Sequence, residues 1–158
     1  MSWLLRWGVW GFVSTLVLTG LLAGSQQLRL TRMNLPYLLG SMVTADRDRA
    51  KVYGLGLHLL LGLLFSGVYV VAFAAWGRAS WWLGGLMGVL HAGFVLLVVL
   101  PAMPAVHPRM ASESQGPTEV KQLEPPGFLG LHYGTRTPLM ALVSHAAFGV
   151  MLGGLLRM

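Results

Sequence analysis

Four long apolar runs divide the chain, and none contains Asp, Glu, Lys or Arg: Trp7 to Gly24, Val52–Trp76, Trp81–Leu100 and Pro138–Leu156. Each approaches or exceeds the roughly 17–25 residues needed to cross a bilayer. In hydrocarbon every backbone N–H and C=O must be satisfied within its own element, so such runs read as helices. The pattern predicts an all-α integral membrane bundle of four transmembrane helices, with spans 7–24, 52–76, 81–100 and 138–156, forming one domain over residues 1–158. Only Gly77–Ser80 joins the second and third runs, so those two helices are expected to form a tight antiparallel hairpin.

The segments between the runs read differently. Leu35–Ala45 is too short to span and holds Pro36 and Gly40, so it is expected to lie in the interface or fold back on the bundle. Thr44-Ala45-Asp46-Arg47 reads as a helix start, with Thr44 or Asp46 as cap. Residues 101–137 carry six prolines and no helical period, which predicts a long irregular loop at the cytoplasmic surface.

Composition narrows the class. Hydrophobic residues make up 55% and charged residues 10%, where a soluble domain carries about 25% charged. An ordinary soluble domain, a disordered chain and a water-soluble nucleic-acid binder are excluded, and no nucleic-acid partner is expected. The absence of cysteine removes disulfides, thiolate metal sites, iron–sulfur clusters and a cysteine nucleophile.

On so apolar a chain the formal charge of +6 is first a topology signal. Arg6, Arg78 and Arg157 flank one face, against Arg29, Arg32, Arg47, Arg49, Lys51, Arg109, Lys121 and Arg136 on the other. The richer face is expected in the cytoplasm, with both termini outside, in a bacterial inner membrane. All six tryptophans (Trp3, Trp7, Trp10, Trp76, Trp81, Trp82) fall at the poorer face, as interfacial indoles do. The first run resembles a signal peptide up to Leu22-Ala23-Gly24-Ser25, but more positive charge follows it than precedes it, which argues for a retained helix.

Residues four apart share a helix face, and each run carries such a stripe of small or polar residues. They are Gly11, Thr15, Thr19, Ala23; Gly54, His58, Gly62, Ser66; Ser80, Gly84, Gly88, Ala92, with His91 adjoining; and Ala141, His145, Gly149, Gly153. Small residues at this spacing let membrane helices approach closely, and polar ones gain by facing protein. At about 1.5 Å per residue, His58, His91 and His145 lie roughly 9–15 Å inside the cytoplasmic ends of their helices. Thr15 and Thr19 reach a similar depth, and the whole reads as a buried His/Thr/Ser layer that includes Ser66.

An intramembrane ionisable residue is a functional hypothesis by default, but a neutral histidine bonded to a hydroxyl or carbonyl is the ordinary way to store one. Three ligand readings stand beside that. Haem suits neutral imidazoles, with propionates reaching Arg49, Lys51 or Arg136. A bare metal ion on His58, His91 and His145 lacks a carboxylate to balance its charge. A proton relay or solute path lacks an Asp or Glu within the spans.

The polar segments hold a second set of candidates. Asp46 and Arg49, His107 and Arg109, and His132 and Arg136 are expected to form a cytoplasmic cap, or else Arg109 and Arg136 pair with Glu113, Asp46 or lipid phosphate. Ser112 beside His107 or Glu113 is the only imaginable nucleophile arrangement, and no hydrolase, zinc-protease, P-loop or dinucleotide fingerprint is present. An enzyme is the least favoured class. His58-x-x-x-Gly62 also echoes His145-x-x-x-Gly149, as two parallel hairpin repeats would.

Arg32-Met33-Asn34-Leu35-Pro36, Gly40, Asp46-Arg47-Asp48-Arg49-Ala50-Lys51, His58, His107-Pro108-Arg109-Met110-Ala111, Pro125-Pro126-Gly127 and Tyr133-Gly134 together resemble an uncharacterised family of small four-helix bacterial membrane proteins. The resemblance spans nearly the whole chain. It implies the four-helix fold and transfers no activity, ligand or catalytic residue. The expected function is that of a non-enzymatic accessory or structural subunit in the lipid bilayer, packing against itself or a larger membrane complex through Gly84-x-x-x-Gly88 and Gly149-x-x-x-Gly153. The rival is a haem- or metal-binding redox module, or a small-solute or proton pathway, built on the three histidines.

Overall fold

Local capping chemistry starts two of the long helices ahead of their apolar runs. The computed structural model describes residues 2–156. Its helices are α1 (Trp3–Gln27), α2 (Leu35–Gly40), α3 (Arg47–Ala75), α4 (Trp81–Val106) and α5 (Thr137–Leu155), with no strand among the described residues. The four long helices, all but α2, are long and apolar enough to cross a membrane. Arg157, counted above among the flanking charges, lies outside the described residues.

The Ser2 hydroxyl accepts the Leu5 N–H and starts α1 early. The Asp46 carboxylate accepts the N–H groups of Asp48 and Arg49, so Asp46 rather than Thr44 caps α3 and the charged Arg47–Lys51 segment forms its first turns. The expected loop 101–137 shortens at both ends. Helix α4 continues through Pro101 and Pro104 to Val106, and Phe128–Tyr133 forms a 3-10 turn. Proline at 101 has no N–H to donate and crowds the carbonyl four residues back. The wider π-turn at Val95–Val99, where the Leu100 N–H reaches the Val95 carbonyl, takes up that conflict without breaking the helix.

The stripes pair antiparallel, in two sets. A side chain added at Gly11 would run into the Ser66 hydroxyl, and one at Gly62 into Thr15. These contacts lock α1 to α3. Between α4 and α5, a Cβ at Gly84 would strike the Gly149 carbonyl, at Gly88 the His145 carbonyl, and at Gly153 the Ser80 carbonyl. Helix α1 then turns a second face, with Ser14, Leu18 and Leu22 buried, and packs on α5 as well. Both glycine motifs that were expected to offer faces to a partner are therefore consumed inside the bundle.

The expected tight hairpin of the second and third long helices does not form. The backbones of α3 and α4 scarcely approach one another, because ring-sized side chains stand between them. Phe65 stacks on His91 with centroids 4.2 Å apart, and Tyr69 lies 6.0 Å from the same ring. The segment after Asn34 folds back on α3: a Cβ at Gly40 would enter the Ala50 carbonyl, and one at Gly54 the Pro36 carbonyl. Trp3, Arg6, Val70, Phe73 and Leu156 meet at one end of the bundle. The opposite end gathers α2 and the polar loop.

Replacing Gly88 by Ala should destabilise the protein by about 1–3 kcal/mol, because the added methyl meets a fixed backbone carbonyl. Gly93→Ala, where the added methyl meets only open space, should be neutral or stabilising by up to about 1 kcal/mol through helix propensity. Denaturant unfolding of both variants in mild detergent checks the contrast.

Candidate functional site

The buried polar layer is built from hydroxyls that first satisfy their own helix. Thr15 Oγ1 donates to the Gly11 carbonyl at 2.7 Å, and Thr19 Oγ1 to the Thr15 carbonyl at 2.7 Å. With its hydrogen committed, Thr19 Oγ1 accepts from His58 Nδ1 at 3.0 Å. His145 Nδ1 donates to the Ala141 carbonyl one turn back, at 2.8 Å. His91 Nδ1 lies 3.3 Å from the Tyr69 hydroxyl. His58 and His145 are 7% and 5% exposed, and His91 is half-buried.

The structure brings His91 and His145 together, edge to face, with centroids 4.8 Å apart. No flat macrocycle fits between rings in that contact. Among the described residues, no three His, Asp or Glu side chains converge as a metal site. With Nδ1–H engaged on both His58 and His145, the lone pair of each ring rests on Nε2. His58 turns its Nδ1 to α1 through Thr19.

Two members of the layer were missed from the sequence. Tyr69, 2% exposed, packs edge-on to Phe148 at 5.3 Å besides meeting His91. It lies eleven residues past His58, three helical turns along one face, which is the signal that would have found it. Trp7 was assigned to the interfacial belt, but its indole N–H turns inward and donates to Ser66 Oγ at 2.9 Å. Ser66 in turn donates to the Leu63 carbonyl. Trp3, Trp76, Trp81 and Trp82 remain exposed.

The polar end does not gather into a single cap. His107, 1% exposed, sits beneath the C-terminus of α2. Its Nδ1 accepts the Arg109 N–H at 3.1 Å, so Nε2 carries the hydrogen and donates to the Leu38 carbonyl at 3.0 Å, beside the Ser41 hydroxyl at 3.2 Å. Arg109 donates to the Ser41 carbonyl at 2.6 Å rather than pairing with Glu113 or Asp46. Residues 109–111 and Leu123 exchange backbone bonds, which pins the loop over Met110. Here His and Arg tie a loop to a helix end.

His132 and Arg136 lie elsewhere. His132 Nδ1 donates to the Pro125 carbonyl at 3.0 Å, and its own carbonyl accepts from Arg32, which also pairs with Glu124 at 3.1 Å. The Tyr133 hydroxyl donates to the Glu124 carbonyl at 2.7 Å, and burial raises that phenol above its ordinary range. Thr31 and Thr137 share a buried hydroxyl–hydroxyl bond of 2.7 Å that joins the end of α1 to the start of α5. Asp46 and Arg49 stay on the exposed first turn of α3, and Arg136 is exposed before α5. Ser112 accepts the Gln115 N–H in a local turn, and no base is aligned on it.

Comparison of the chain with family models, curated proteins and solved structures gives no match. The site must therefore be read from its own geometry.

Burial holds the His107 imidazole below its ordinary value near 6.5, and Arg109 and Lys121 push the same way against the Leu38 carbonyl. The unfolded chain thus binds a proton more readily than the folded one. The stability tied to His107 is complete above about pH 7 and is lost as pH falls through and below 6.5. His107→Gln should lose less stability than the parent between neutral and mildly acidic pH, as read by unfolding midpoints across that range.

Proposed function

We propose that this protein is a non-enzymatic, multi-pass accessory or structural subunit of a bacterial inner membrane, with its two termini outside and its polar end in the cytoplasm. The observation that carries this reading is the engagement of most of the buried polar layer within the bundle. Nδ1 of His58 and of His145, together with the hydroxyls of Thr15, Thr19 and Ser66, are engaged within the bundle. Polar groups engaged in this way fix helix register. The charge asymmetry between the ends and the exposed tryptophans at the poorer end support the orientation.

A second reading, a ligand or solute path through the histidines, is favoured by one feature. A cleft of about 320 Å³ opens between Gln26, Asn34 and Lys51 and reaches inward to Thr19, the partner of His58.

An absorption spectrum of the protein purified from its native membrane, oxidised and reduced, separates haem binding from the subunit reading. Only tryptophan and tyrosine bands are expected, and a Soret band lost in His145→Gln would overturn the structural assignment. Under the structural reading, His58→Gln, His91→Gln and His145→Gln should each lower unfolding stability by about 1–3 kcal/mol. Orientation is checked with single cysteines in this cysteine-free chain. Positions 2 and 80 should label from outside intact cells, and position 114 only after permeabilisation. Outside labelling of position 114 sinks the orientation.

A further inference from the structure

Where α1 ends and α5 begins, three arginines line a cavity of about 270 Å³: Arg29, Arg32 and Arg136, together with Thr135 and Gly134. Arg32 is held in place by Glu124 and by the His132 carbonyl. The side chains of Arg29 and Arg136 have no hydrogen bond or ion pair among the described residues. Three arginines, one anchored and two uncommitted, thus line a single space, where like charges repel unless an anion lies between them. Glu124 partners Arg32 but does not line the cavity.

The backbone around the cavity supports the same reading. Arg29 occupies the left-handed region, with φ +59, at the end of α1. The Leu30 N–H returns to the Ser25 carbonyl there in the usual helix-terminating bond, and glycine is the unstrained residue for that position. Arginine accepts the strain and lines the cavity. Across from it, Gly134 has φ +129, a conformation that side chains rarely adopt. Helix α5 begins at the cavity with no side-chain hydrogen bond capping its first turn, so its dipole adds to the positive field.

We propose that this cavity binds a phosphate-bearing ligand, either the headgroup of an anionic lipid or a soluble phosphate. Guanidinium forks match phosphate oxygens in bidentate pairs. A tetrahedral phosphate also offers oxygens in more directions than a carboxylate, as three arginines drawn from the end of α1 and the start of α5 require. The cavity lies at the ends of two long apolar helices, at the level where headgroup phosphates would sit. This site is independent of the histidine layer and adds a ligand to the subunit reading.

The test uses the full chain in zwitterionic detergent and in phosphatidylcholine nanodiscs, with phosphatidylglycerol and inorganic phosphate as probes. Arg29→Gln and Arg136→Gln should each weaken binding about tenfold or more. Arg29→Gly, which suits the backbone, should keep the fold and still lose binding. Arg49→Gln, on the exposed first turn of α3 outside the cavity, should bind as the parent does. Competition by inorganic phosphate would identify a soluble-phosphate site, and phosphatidylglycerol binding that phosphate does not displace would identify a lipid site. The proposal is overturned if neither probe binds, or if Arg49→Gln weakens binding as much as the cavity variants.

Discussion

Close backbone approach at glycine is the constraint from which the rest of this bundle follows. Lipid tails are as apolar as leucine, so helices in a membrane gain little by burying apolar area against one another. They gain by contact, and contact across α4 and α5 is possible only because Gly84, Gly88, Gly149 and Gly153 leave room for the facing carbonyls. On the other side, Gly11 and Gly62 make room for Ser66 and Thr15. A methyl on α4 or α5 at these positions would meet a backbone carbonyl, and one at Gly11 or Gly62 the side chain of Ser66 or Thr15. The His91–His145 ring contact sits on the α4–α5 approach, beside Gly88 and the His145 carbonyl.

The polar layer rests on a more local bond. A buried hydroxyl always has a carbonyl of its own helix within reach, and Thr15, Thr19, Ser25 and Ser66 all use it. Hydroxyls so engaged still accept, which is how Thr19 receives His58 and Ser66 receives the Trp7 indole. The looser seam between α3 and α4 is filled by Phe65, Tyr69 and His91. The molecule thus has two glycine-mediated seams, a third in which α1 packs Ser14, Leu18 and Leu22 against α5, and one aromatic seam.

The polar end follows a different rule, since water is available and no seam dictates spacing. His107 and Arg109 hold the loop to α2 through carbonyls, and Arg32, Glu124, His132 and Tyr133 hold the second half of the loop to the end of α1. These bonds account for the charged groups that stabilise the loops. Arg29 and Arg136 are left out of both sets and line one cavity.

The four helices and the stripes of small and polar residues were legible in the sequence, because hydropathy and a spacing of four are local properties that survive any packing. For the cap of α3 and for the segment after Asn34 the sequence left two readings each, and the structure selects Asp46 and a fold back on α3. Which stripe meets which was not. The short Gly77–Ser80 link made α3 and α4 look like the close pair, yet bulky rings on those faces gave the close approaches to α1 with α3 and α4 with α5. The inward turn of Trp7, the splitting of the expected cap into separate contacts, and the meeting of Arg29 with Arg136 likewise depend on residues about sixty to more than a hundred positions apart. Composition and periodicity decide what a helix can touch; only the tertiary arrangement, by the room each facing side chain leaves, decides what it does touch.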